Sequence, residues 1–243
     1  MVAGHRCTGL LYAEPASVPA WGALDSIGEL PMDTERRERG EQAVLLAELQ
    51  HRVRSTLGTM RALVRRSAET NESLDAYVMH LDARLDAMAR VQNAFVRNPT
   101  GGIDLGLMVA DELAACRARE GETVSIEGPP IKLHPRAAEP FGLALHELAI
   151  NALKFGALTQ PSGRIAVTWH VEEREGGRCM LFEWIETGVR ARDTGALRYG
   201  FGRIVLEEML PHNLRARARF ALTPEGLVYS LDLPLTDKIV RAG

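Results

Sequence analysis

The chain has 243 residues, 46% of them hydrophobic and 25% charged, enough for a buried core in one or two domains. Its 29 Lys and Arg against 32 Asp and Glu give a net charge of -3, which excludes the bulk basicity that draws proteins to nucleic acid or anionic lipid. Cys7, Cys116 and Cys179, odd in number and never within a C-x-x-C, exclude a disulfide framework and a zinc site, and no stretch approaches a signal-peptide core or the roughly 18 apolar residues of a membrane span. The expectation is a soluble protein of a reducing cytoplasm, with no membrane and no nucleic-acid partner.

Residues 1–34 carry Pro15, Pro19 and Pro31 among small residues and keep no sustained period, so they read as an irregular arm. Asp33 or Thr34 is placed to cap a helix in which Leu46, Leu49, Val53, Leu57, Met60 and Leu63 recur at spacings of three and four, to about residue 67. After the polar break Thr70-Asn71-Glu72-Ser73, the residues Leu74, Val78, Leu81, Leu85, Met88, Gln92 and Phe95 repeat that spacing to Arg97. Two long helices joined by a short turn predict an antiparallel hairpin over residues 35–98. A large apolar side chain gains about 1.5–3 kcal/mol on burial, so this many left bare call for a covering partner, most simply a second copy completing a four-helix bundle.

Residues 98–102 form a linker, and the composition then turns to an α/β pattern over 103–236. We read a helix at 103–119, a strand at 123–127, a helix at 135–156, strands at 164–171 and 178–186, a helix at 201–210, and a hairpin of 216–222 with 227–233. Helices gathered on a largely antiparallel sheet predict a two-layer α/β sandwich, and the whole chain falls in the α+β class.

Chemistry concentrates in residues 145–155. On a helix Glu147, Asn151 and Lys154 stand at i, i+4 and i+7 and share one face, while Leu145, Leu148, Ala152 and Phe155 take the buried one. Acid, amide and amine suit a nucleoside triphosphate: the Asn oxygen can ligate Mg²⁺, the Lys can neutralise phosphate oxygens, and the carboxylate can position a water or the metal. A solvated helix face with an ordinary Glu and Lys pattern is the alternative from spacing alone. Two further places add to the set. Glu186 ends an apolar strand and is followed by Gly188, where a carboxylate can accept from an adenine amino group. Gly200 and Gly202 open a helix, where small residues let backbone N–H groups approach phosphate.

Together and in this order the segments resemble the HWE-type sensor histidine kinases, whose name records a His in the Asn-containing box, here His146, and a W-x-E further on, here Trp184 and Glu186. Upstream, Glu48-Leu49-Gln50-His51-Arg52-Val53-Arg54-Ser55-Thr56-Leu57 is similar to the family's phosphoacceptor box, and the likeness spans about residues 40–235. The resemblance implies a dimerisation and phosphoacceptor hairpin followed by an ATP-binding domain of the gyrase and heat-shock-protein-90 kind. It implies autophosphorylation of His51 from Mg·ATP and transfer to an aspartate of a response regulator. With Leu46 and Leu49 at heptad positions a and d, His51 falls at f and points to solvent. Glu48 at i−3 can hold the imidazole in the tautomer that leaves the other nitrogen free to attack, or make only a plain surface contact, and Ser55 lies one turn on at i+4.

The remaining histidines, His80, His134, His170 and His212, match no metal spacing. His146 adjoins the Glu147 face and can touch a phosphate or be a satisfied structural residue. Trp184 reads as core, and Arg215, Arg217 and Arg219 as the solvated face of a strand. Two positions depart from the family pattern: Ser55 stands where an Asn is usual, and Gly188-Val189-Arg190 stands where G-G-P is usual, which predicts a lowered nucleotide affinity. The first 34 residues are too few for a sensor domain of roughly 100, so the signal is expected from a sensory partner in trans. Two other functions fit the same boxes: a phosphotransfer or scaffold protein with a vestigial nucleotide domain that binds a response regulator, and a serine kinase or ATPase of the same fold. The intact Glu147, Asn151 and Lys154 speak against the first, and an exposed His in an H-R-V box against the second.

Overall fold

The computed structural model describes residues 31–70, 73–98, 101–116, 118, 121, 123–189 and 200–240. Residues 1–30 of the arm expected at 1–34 and Arg190 lie outside these residues, as do the side chains of Glu48 and His51, while residues 31–34 are helical. The chain divides into two compact units, Met1–His51 and Arg52–Gly243, and not at the 98–102 linker.

Helix α1 (Pro31–Thr70) begins earlier than Asp33 or Thr34, which therefore lie in its first turn and do not cap it. A proline at the first helical position surrenders an N–H that has no partner there anyway. Within Met1–His51, Leu46 and Leu49 stand exposed, as do Val53, Leu57 and Val64 in the second unit. Helix α2 (Leu74–Arg97) starts at Ser73, whose hydroxyl accepts from the Ala76 N–H.

The strands of the second unit arise from strict alternation. In β4 (Arg164–Arg174) Ile165, Val167 and Trp169 point inward, and in β5 (Gly177–Thr187) Met180, Phe182, Trp184 and Glu186 do. Leu227, Tyr229, Leu231 and Leu233 do so in β7 (Gly226–Pro234), which follows β6 (Arg217–Thr223). With β2 (Val124–Glu127) they form a five-stranded sheet of order β2-β4-β5-β7-β6, parallel between β2 and β4 and antiparallel elsewhere.

Helix α4 (Pro135–Lys154) lies over the inner face, with Phe141 edge-on to Phe182 at 5.2 Å between ring centroids. Leu63 of α1 and Met88 and Val91 of α2 join the same apolar cluster. These three hairpin residues are therefore covered within the chain itself, where the sequence left the covering of the hairpin's apolar stripes to a partner.

Three elements differ from expectation. The helix of 103–119 is a two-residue strand β1 (Ile103–Asp104) followed by α3 (Leu105–Ala115), because the Asp104 carboxylate accepts from the Leu107 N–H and fixes the helix start behind it. Strand β1 pairs with β3 (Lys132–Leu133), a partner too short to show in the sequence. The helix of 201–210 runs on to Leu214, as α5 (Phe201–Ile204), a widened π turn (Val205–Met209) and α6 (Leu210–Leu214). Pro211 has no N–H to return to the preceding turn, and the widening lies directly before it. Arg215 stops this run in a left-handed conformation, φ 54°. No helix among the described residues is long and apolar enough to cross a membrane.

Candidate functional site

The acid, amide and amine of α4 do share a face, but it is not a solvated one. Glu147 is only 5% exposed, Asn151 is half-buried, and Lys154 stands exposed at the helix end. Gly202 of α5 lies against this face. A Cβ there would come within 2.8 Å of Glu147 Oε2 and 3.4 Å of Asn151 Nδ2, so the absence of a side chain is what lets α5 approach. Gly200, extended at φ −108°, opens α5.

Across from Asn151 lies Glu186. Its position two residues after Trp184 puts both side chains on one side of β5, and the indole Nε1–H donates to Glu186 Oε1 at 3.1 Å. The other oxygen accepts from the Ala157 N–H at 2.8 Å. Burial pushes the Glu186 carboxyl above its ordinary pKa, and those two hydrogen bonds draw it part of the way back. W-x-E is thus one hydrogen-bonded unit, with the Trp in the core as expected. Gly156 lets the chain pass directly over the Glu186 carboxylate, a close approach that no motif signalled. Gly188, at φ +75°, turns the chain beside the Ser162 carbonyl, in a conformation that disfavours any side chain.

Asn151, Phe155, Gly156, Glu186, Val189, Leu222, Gly226 and Leu227 line a cleft enclosing about 10 Å³. That is room for about one water. Among the described residues no three His, Cys, Asp or Glu gather as a metal cluster. The Asn151 amide oxygen and the Glu147 carboxylate nevertheless supply the hard oxygens that Mg²⁺ takes, and Lys154 supplies a cation for phosphate.

The hairpin occupies this face as well, through residues that the motifs did not single out. Arg84 of α2 donates from Nε to Glu147 Oε1 at 2.6 Å and from Nη2 to Oε2 at 3.3 Å, while Nη1 donates to Ser67 Oγ at 2.8 Å. Its guanidinium lies 3.9 Å over the Phe201 ring. One turn away His80 Nε2 is 2.6 Å from Lys154 Nζ. Burial, then the Lys154 and Arg84 charges, hold the His80 imidazole below its usual pKa, so the neutral ring accepts from the ammonium. Burial also lowers the Lys154 amine, with Glu147 opposing. The signal for Arg84 was present: it stands three residues after Leu81 and four before Met88, a charge inside an apolar stripe.

His146 faces elsewhere. Its Nδ1 is 3.2 Å from Glu112 Oε2 on α3, and Glu112 also accepts from Arg90 of α2 at 2.7 Å. The residue is buried and satisfied in this way, in keeping with the structural of the two roles left open by the sequence. On α1 Ser55 is exposed, and its carbonyl accepts from the Thr59 hydroxyl at 3.2 Å.

The helical region joined to this sheet domain is the fold of the histidine kinase catalytic region. The Erythrobacter litoralis EL346 blue-light activated histidine kinase superposes with a TM-score of 0.53 at 20% identity, over 80% of this chain and 60% of that one. Residues 48–130 match the HWE histidine kinase family, a span that ends before the Glu147 box. Among curated relatives, the blue-light-activated histidine kinase of Brucella anthropi is 27% identical over 234 residues, 96% of this chain and 48% of the relative. Blue-light-activated histidine kinase 1 of Erythrobacter litoralis is 31% identical over 187 residues, 74% of this chain and 49% of the relative. Residues 48–130 thus carry an HWE histidine kinase domain, and the chain spans about half the length of the curated relatives it matches.

Proposed function

We propose that the chain is a two-component histidine kinase that phosphorylates His51 from Mg·ATP and passes the phosphoryl group to an aspartate of a response regulator. The observation that carries the reading is that Asn151, which Gly202 approaches together with Glu147, lines one cleft with the buried Glu186. In this reading Asn151 ligates Mg²⁺, Lys154 neutralises phosphate charge, and Glu186 accepts from the base. The bound metal ion offsets the charge that develops on the phosphate oxygens. The imidazole nitrogen of His51 attacks the γ-phosphorus as the bond to the ADP oxygen breaks. Glu48, one turn before His51, holds the ring's other nitrogen, and Glu147 orients the attacking or metal-bound group once it is free to do so.

We further propose that two copies associate through α1. Val53 and Leu57 of the second unit, 57% and 54% exposed, stand four residues apart on one face of α1 that a second copy can cover. A sensory partner in trans and a cytoplasmic setting complete the proposal.

A vestigial nucleotide domain on a phosphotransfer scaffold is the second reading, favoured by the narrow cleft and by the engagement of Glu147 with Arg84. One experiment separates the two. Incubation with γ-labelled ATP should give a product that loses its label in acid and keeps it in base, as phosphohistidine does. A label that survives acid, or none despite bound nucleotide, contradicts the kinase reading.

A further inference from the structure

Helix α2 meets the candidate nucleotide face of α4 at two points, and both engage groups that the proposed function reserves for ATP. Both Glu147 oxygens receive Arg84 N–H groups, and Lys154 Nζ donates to His80. Arg84 and Glu147 are 7% and 5% exposed, so this is a desolvated, bidentate pair. Two further polar contacts of α2, Arg90 to Glu112 and Gln92 to Glu139, engage neither Glu147 nor Lys154.

We propose that α2 is a latch on the nucleotide face, with Arg84 and His80 standing in for the metal and phosphates of the nucleotide, so that hairpin docking and nucleotide binding oppose each other. The proposal rests on the nucleotide reading of that face. Its physical basis is exchange of like for like. Glu147 accepts two charge-assisted hydrogen bonds from a guanidinium where it would otherwise face a divalent cation and its water. Lys154 donates to an imidazole where it would otherwise donate to phosphate.

A buried ion pair returns in attraction about what it cost in desolvation, so a charged ligand that satisfies the same groups can displace it. Breaking only one partner is costly, which makes release of the two contacts concerted. If only the released state binds, the apparent dissociation constant is the intrinsic one divided by the released fraction. Nucleotide must then loosen α2 by the same factor, since coupling is reciprocal.

The test uses the full chain, with Mg²⁺ and a non-hydrolysable ATP analogue titrated by calorimetry. Arg84→Gln should bind at least about tenfold more tightly than the parent, and His80→Ala more tightly by a smaller factor. Amide exchange in the parent supplies a second readout that needs no variant to fold: residues 80–91 should exchange faster at saturating nucleotide. Unchanged or slower exchange at saturation overturns the latch, and so does a folded Arg84→Gln variant that binds no more tightly. If neither the parent nor any variant binds the analogue, the nucleotide reading falls and the latch with it. Binding with α2 unmoved removes the latch alone.

Discussion

Helix α2 grips the rest of the unit through two arginines six residues apart, and the two grips differ in what they hold. Arg84 is buried and engages Glu147, a member of the candidate nucleotide face. Arg90 is 38% exposed at its side chain and engages Glu112, which also contacts His146 on the inner side of α4. By our proposal the first grip occupies groups that the nucleotide would use, and the second holds groups outside that face. Similar ion pairs on one helix thus serve fastening in one place and, by our proposal, control in the other. Position on α4, and not the chemistry of the pair, decides which.

The contrast breaks most sharply at Asn151. Asn151→Ala should abolish labelling of the protein by ATP, yet shift stability by no more than about 0.5 kcal/mol, because the amide is only half-buried and lines the open side of the cleft. Calorimetric melting beside the labelling assay reads both. A variant that melts normally and labels fully removes Asn151 from the site.

A smaller effect is expected at Glu112, and it is one of pH. Burial pushes this carboxyl up, but the hydrogen bonds from His146 and Arg90 together outweigh it and leave the pKa below its usual 4.5. The folded state therefore binds fewer protons than the unfolded one. Its contribution to stability is full above pH 4.5 and is lost as the pH falls through the lowered folded value. Glu112→Gln should lower stability near neutrality and flatten the acid limb, while nucleotide affinity changes less than in Arg84→Gln. Denaturant melts across pH 3 to 7, about the carboxylate range, decide this. A parent curve as flat as the variant's would show that the Glu112 grip is not ionic.

The smallest effect is expected at Ser55, exposed on α1 one turn beyond His51. An Asn amide both donates and accepts at longer reach than a hydroxyl, so it can orient water against a phosphoaspartate on a docked regulator. Ser55→Asn should speed loss of the regulator's phosphate and leave labelling of the kinase nearly unchanged. Equal decay rates for parent and variant would show that this position does not set the balance.

How much of this was legible in the sequence follows from the length of each signal. The long strands and α4 were readable because alternation and the 3.6 period persist over many residues in β4, β5, β7 and α4. Strands β1 and β3, two residues each, carry no period to read, and the Asp104 cap was absorbed into the helix it starts. At the site, Glu147, Asn151, Glu186 and Gly202 were singled out from their motifs, and the structure does gather them. Arg84 was passed over, although a charge between Leu81 and Met88 on an apolar stripe is a signal in plain view. His146 was left between two roles by the sequence: adjacency to Glu147 is a rotation of about 100° on a helix, and the ring meets Glu112 instead.

The central claim is that His51 receives the phosphoryl group. Peptide mapping of the ATP-treated chain at neutral pH, where phosphohistidine survives, tests it most directly. The account predicts phosphate on His51 and none on the chain when His51→Ala is treated the same way. Phosphate on another residue, or undiminished phosphate in His51→Ala, would contradict it.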